Sequence, residues 1–251
     1  MGKRETISDN RKRKLYGEVN GICPLCGRIL LEKKNKNSID QGQVAHIYPL
    51  NPNENQLKVL KGVDKLGNDI NDDENLIYLC PTCHKKYDTD TTLEEYQKIF
   101  NIKKRVLRLN KIKEKYFPLP LDEKIEEVIK ELTSLEEPIN SNISIEYNPK
   151  KVDTKLEGET MIFKRKVKND VSSYYSIIRE IFRNIDDSGK KFEKISLQIK
   201  AFYIEAVESE LTKEEIYDEI TKWISIKIKE KYSKEVYNII VSFFIQNCEV
   251  F

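Results

Sequence analysis

Residues 43–50, QVAHIYPL, and residues 72–88, DDENLIYLCPTCHKKYD, decide how this chain is read. They hold both histidines of the protein, His46 and His84, and one of two Cys-x-x-C pairs, Cys80 and Cys83. The other pair, Cys23 and Cys26, lies in YGEVNGICPLCGR (16–28), where Gly21 and Gly27 let the backbone turn so that two thiolates reach one ion. Each pair encloses a proline, and together the four thiolates complete a tetrahedral structural zinc site. The alternative is four independent buried or redox cysteines. Cys248 is left over near the C-terminus.

Working outward, Gln43 to Tyr48 reads as a short extended segment ended by Pro49, which lacks a backbone donor. Residues 51–75 are rich in Asn, Asp and Gly, the composition of a loop, and Asn75 to Leu79 is again strand-like. From Pro81 the chain enters a helical turn carrying His84, so strand, loop, strand and helix bracket the zinc. Thr92 and Glu95 form a capping box for a helix with Leu93, Tyr96, Ile99 and Phe100 on one face. A basic helix comes next, its stripe of Val106, Leu109, Ile112 and Tyr116 lying beneath Lys103, Lys104, Arg105, Arg108 and Lys111. The segment FPLP (117–120) ends it and marks a boundary.

Asp122 is placed to cap one more helix with Ile125, Val128, Ile129 and Leu132 inward. Residues 134–160, interrupted by Pro138, Pro149 and Gly158, read as a connector with at most a short strand at Ile143 to Tyr147. From Asn169 the pattern is helical to the end, through Val171, Ile178 and Phe182, then Ile195, Ile199 and Phe202, then Ile216, Ile220 and Trp223, then Val236, Ile240 and Phe243. Such stripes repeat with the helix period and contain no clustered acids or histidines, so they are core rather than a cofactor site.

Composition sets the limits. With 251 residues, 39% hydrophobic and 34% charged, the chain suits two small helix-rich units and offers no apolar run long enough to span a bilayer. The basic start MGKRETISDNRKRKLY precedes no signal-peptide core, which argues for a cytoplasmic protein, and Gly2 in this setting is not a persuasive myristoylation site. The net charge of +2 is unevenly spread. Residues 1–16 carry six basic groups against two acids, and residues 101–116 seven against one, leaving the remainder acidic. Charge runs alone are usually solvated faces, but two basic flanks beside a hydrolytic site favour nucleic acid.

His46 in AHIYP, Asn75 opening NLIYL and His84 closing CPTCH resemble the three signature positions of HNH endonucleases of the zinc-stabilised branch, over roughly residues 15–100. The resemblance implies an α+β protein whose N-terminal part is a ββα-metal nuclease fold. It further implies that His46 is the general base, that Asn75 holds the His46 loop, and that His84 binds a catalytic Mg²⁺ or Mn²⁺ while Cys23, Cys26, Cys80 and Cys83 hold Zn²⁺. The chemistry asks for such groups, since phosphodiester hydrolysis needs a base for water and a cation for the phosphate and departing oxygen. One departure is Ala45, where many relatives place a second metal ligand; Asp40, Asp64 and Asp88 are the candidate replacements.

The closing IVSFFIQNCEVF and the earlier VSSYYSIIREIF resemble the C-terminal domain of effectors in ABC-three-component systems, the group that includes Lamassu anti-phage defence. That resemblance implies docking on an SMC-like ATPase, with a third small subunit. The expected organisation is a nuclease domain over 1–117, a helix and polar linker over 118–168, and a mainly α-helical docking domain over 169–251, with self-association open to the helical half. Double-stranded DNA is the expected substrate, and no membrane is expected. The competing readings are a stand-alone restriction or mobile-element HNH nuclease, and a non-catalytic zinc-stabilised DNA-binding or scaffold protein.

Overall fold

From Asp9 onward the basic N-terminal run is a helix in the structure, a computed structural model that describes residues 5–34, 37–135, 149–186 and 188–247. Ser8 Oγ accepts the Arg11 N–H (3.3 Å) at its start, and the cap opens α1 (Asp9–Glu18), which buries Leu15 alone. Cys248 and the strand expected at Ile143 to Tyr147 lie outside the described residues. Two compact units, residues 1–109 and 110–251, divide the chain.

In the first unit a hairpin of β1 (Leu31–Lys34) and β2 (Asn37–Asp40) precedes β3 (Gln43–His46), which pairs antiparallel with β4 (Leu76–Leu79). The register sets Gln43 opposite Leu79 and His46 opposite Leu76. Residues 51–75 are not all loop. They contain α2 (Glu54–Val59), opened by a reciprocal capping box between Asn53 and Gln56, and a 3-10 turn at Asp73–Asn75. The buried Gln56 side chain donates to Thr91 Oγ1 (2.8 Å) and to the Asp88 carbonyl (3.1 Å). It thereby ties α2 to the end of α3 (Pro81–Thr89), whose first position is proline, as helix starts favour. Leu15, Leu30, Val44, Leu76, Leu79 and Tyr87 form the centre of this unit's core.

The two helices expected on either side of residue 101 are one, α4 (Leu93–Tyr116), because no breaker separates them. Lys103, expected on the exposed basic face, is instead buried and ion-paired with Glu18 of α1. Burial lowers the Lys103 pKa against the pull of Glu18, whose Oε1 is buried with no hydrogen-bond partner.

The second unit is helical: α5 (Lys124–Ser134), α6 (Pro149–Lys155), α7 (Met161–Ile185), α8 (Lys190–Glu208), α9 (Lys213–Lys227) and α10 (Lys234–Asn247). Ile125, Val128, Ile129 and Leu132 are buried along α5 as their spacing predicts, and the Thr212 to Glu215 capping box opens α9. Asp122 does not cap α5 at the expected place; Glu123 holds that position, while Asp122 accepts the Lys124 N–H (3.1 Å) and pairs with Lys194 (3.1 Å). Two helical pieces fall within the stretch read as linker. Besides α6, the start of α7 is capped by Thr160 and buries Phe163 and Val167, so residue 168 lies inside a helix. α10 is the centre of this unit, with Phe243 and Phe244 packed among Phe182 and Phe192 (centroids 5.1 to 6.2 Å apart). The whole is an α+β protein, a small strand-and-helix unit carrying a four-cysteine cluster and then a mostly helical region.

Lys103→Met should cost the first unit about 3–5 kcal/mol, because it strands the Glu18 carboxylate among buried atoms. Adding Glu18→Leu should recover most of the loss. Trp223 reports only the second unit, so the comparison is read from zinc release during urea unfolding.

Candidate active site and metal centre

Cys23 and Cys26 sit on a tight knuckle, in which the Cys23 N–H donates to Arg28 O (2.8 Å) and the Gly27 N–H to Cys23 O (2.8 Å). Gly21 and Gly27 hold positive φ (69° and 76°), and a Cβ on Gly21 would strike the Tyr16 ring, so glycine is required there. Cys80 caps α3, and its sulfur accepts the Cys83 N–H (3.4 Å). The four sulfurs lie within 4.8 Å of one another, Cys26 and Cys80 at 3.7 Å. A tetrahedral ion bonded at about 2.3 Å sets sulfurs about 3.8 Å apart, so the donor set fits zinc in geometry and in softness. The Cys26 thiol is pulled down to about 7, chiefly by the Arg28 N–H, while burial raises Cys23 and Cys83.

The four cysteines close the frame on which both histidines stand. His46 ends β3, almost fully buried, its Nε2 3.2 Å from Asn71 Oδ1. Asn75 is buried at the end of the 3-10 turn, and both ends of its side-chain amide are engaged. Oδ1 accepts the Tyr48 N–H (2.8 Å), and Nδ2 donates to Tyr48 O (3.1 Å) and Ile70 O (2.9 Å). The Asn75 carbonyl also accepts the Ile47 N–H (2.8 Å), so one residue fixes the backbone directly after His46. From the other side, Tyr87 on α3 donates its hydroxyl to Ile47 O (2.6 Å).

His84 points across to β3. Its Nδ1 lies 2.9 Å from Gln43 Oε1, and its Nε2 3.2 Å from Asp88 Oδ2, one turn along α3. Strand alternation puts Gln43 and the buried Ala45 on the same face of β3. The Gln43 amide oxygen and the Asp88 carboxylate are both acceptors, so the two of them hold the His84 ring by its two nitrogens, Gln43 at Nδ1 and Asp88 at Nε2. Of the other candidate carboxylates, Asp40 accepts the Tyr78 hydroxyl (2.5 Å) and the Gly42 N–H (2.8 Å), and Asp64 is tied by its carbonyl to Tyr96 (2.6 Å). Gln43 and Asn71 are not marked as site residues by the sequence. Gln43 opens the stretch QVAHIYPL, but only the β3 and α3 geometry shows what it meets.

Helix α1 is locked to this site. Asp73, in the turn that precedes Asn75, accepts Arg11 Nε (2.6 Å) and Lys14 Nζ (3.0 Å), while Arg11 also donates to the Asn71 carbonyl (2.7 Å). Burial pushes the Asp73 carboxyl up, but these two cations outweigh it and hold it below the usual range.

A family profile for C-terminal domain 11 of the ABC-three-component systems matches residues 112–251, more than half of the chain. The chain belongs to this ABC-three-component family. A second profile, for an HNH endonuclease, matches residues 23–90, which run from Cys23 to the end of α3. The family member is therefore a nuclease, a phosphodiester hydrolase, with an HNH domain in front of its ABC-three-component domain. That pairing makes it a nuclease effector of an ABC-three-component defence system. No curated protein matches the chain. No helix among the described residues is long and apolar enough to cross a membrane.

Cys80→Ala should lose the metal and unfold the first unit, since structural zinc supplies much of the folding free energy of such modules. Metal analysis should fall from one zinc per chain towards none, with the second unit still helical by circular dichroism.

Proposed function

We propose that the protein is a metal-dependent endonuclease for double-stranded DNA, with His46 as general base, Asn75 as the residue that holds the His46 loop, and His84 with Asp88 as ligands for the catalytic cation. What supports this reading above all is the placement of His46 and His84 on adjoining strand and helix of one zinc-clamped frame, each oriented by a neutral amide. Asn71 Oδ1 accepts from His46 Nε2–H, a tautomer that carries its basic lone pair on Nδ1. Abstraction of a water proton there generates the nucleophile for phosphorus. A Mg²⁺ or Mn²⁺ ion at His84 would neutralise charge on the phosphate and the departing 3′ oxygen. Asp88 takes the place that Ala45 leaves vacant as a ligand, and Gln43 fixes the ring of His84 towards it. Cys23, Cys26, Cys80 and Cys83 hold a structural Zn²⁺.

In the wider assembly the helical unit docks on an SMC-like ATPase of the Lamassu type, with a third small subunit, in the cytoplasm. The ATPase restrains the nuclease until it meets foreign or damaged DNA ends. The acidic balance of residues 117–251 supports protein docking there rather than DNA contact.

His46→Ala should abolish plasmid cleavage in Mg²⁺ or Mn²⁺ while zinc content and helicity stay at the parent level; normal cleavage by that variant would sink the assignment. Asp88→Asn and Gln43→Leu should each weaken Mn²⁺ binding, by about 10–100-fold, in a paramagnetic-resonance titration. Isolated chain as active as the full assembly would argue against restraint.

A further inference from the structure

We propose that α1 is the strand guide of the nuclease, with Lys12 and Arg13 gripping the phosphates that lead a DNA strand into the His84 site. This deepens the nuclease reading and rests on it. The run Arg11-Lys12-Arg13-Lys14 is divided by the helix. Arg11 and Lys14, three residues apart and so on one face, are spent on Asp73. Lys12 and Arg13 face elsewhere.

Two clefts run beside α1, one of about 480 Å³ that contains His84, Gln43 and Lys12, and one of about 430 Å³ that contains Arg13, Tyr16 and Lys12. They share Lys12, Asp40 and Tyr78, and so lie side by side along α1, with Arg13 lining one and His84 the other. The two clefts carry three acids: Asp40 already accepts two hydrogen bonds, from Tyr78 and Gly42, Glu5 pairs with Arg11 (3.4 Å), and Asp9 faces Lys12. Lys12 reaches Asp9 only at 3.7 Å with both side chains largely in water, a pairing that a phosphate displaces at little cost. Arg13 is exposed and has no ion pair among the described residues, and its planar fork suits phosphate oxygens. Because Arg11 also holds the Asn71 carbonyl, the helix that grips the strand is the helix that sets the loop beside His46. Grip and chemistry therefore share one rigid part.

The test is duplex-DNA binding by fluorescence anisotropy with the full-length chain in a His46→Ala background, with no added divalent cation, between about 0.05 and 0.2 M salt. Each phosphate contact adds about 0.9 to the slope of log K against log salt, so Lys12→Gln with Arg13→Gln should lower the slope by about 2 and the affinity on the order of tenfold at the upper salt. The control pair Lys130→Gln with Lys222→Gln, on the second unit, should bind as the parent does. Lys12→Arg with Arg13→Lys should restore the slope, which a merely structural role would not predict. An unchanged slope and affinity in the Gln pair, an equal loss in the control pair, or no DNA binding by the parent would overturn the proposal. Binding is read without cleavage. A parent chain that never cuts DNA but shows the expected slope change would defeat the nuclease reading and leave only the phosphate grip of Lys12 and Arg13 standing.

Discussion

The convergence of four thiolates, two from the knuckle at residues 23–26 and two from the start of α3, is the constraint on which the nuclease unit depends. The β3–β4 pair is only four residues long, too little to hold a helix against it by hydrogen bonding alone. With α3 clamped at its first turn, the rest of the helix is aimed, and aim is what the site requires. His84 meets Gln43, Tyr87 meets Ile47, and Gln56 closes on the carbonyl of Asp88. Each is a single hydrogen bond of modest net worth, so their value is orientation.

The polar groups that carry the site are only partly legible in the sequence. Spacing picks out the four cysteines, because metal ligation imposes fixed offsets along the chain, whereas His46, Asn75 and His84 are picked out by their resemblance to the HNH signature positions. Their partners stay hidden. Gln43, Asn71 and Asp73 are ordinary polar residues whose importance arises from neighbours 41, 25 and 62 positions away in the chain. No local pattern marks such a partnership.

Secondary structure is hard to read from sequence where stability comes from tertiary contact. α1 buries one leucine and reads in the sequence only as a basic start, yet it is anchored through Arg11, Lys14 and the Lys103–Glu18 pair. α2 lies inside a loop-like composition, although its capping-box residues Asn53 and Gln56 are visible in NENQ. In the helical unit the stripes of α8 to α10 are legible from the 3.6-residue period, whereas the first turns of α7 combine exposed Met161 and Ile162 with three basic residues and disguise the buried Phe163 and Val167.

The cysteine cluster joins positions 54 residues apart, Cys26 and Cys80, and both histidines lie between that first knuckle and the end of α3. Closing so long a loop is entropically costly, and an ion held by the four sulfurs would offset that cost. During synthesis the groove-lining α1 emerges first and the ion's last ligand, Cys83, more than seventy residues after it begins. A nuclease built this way cannot assemble its four-cysteine cluster on the ribosome until α3 has emerged.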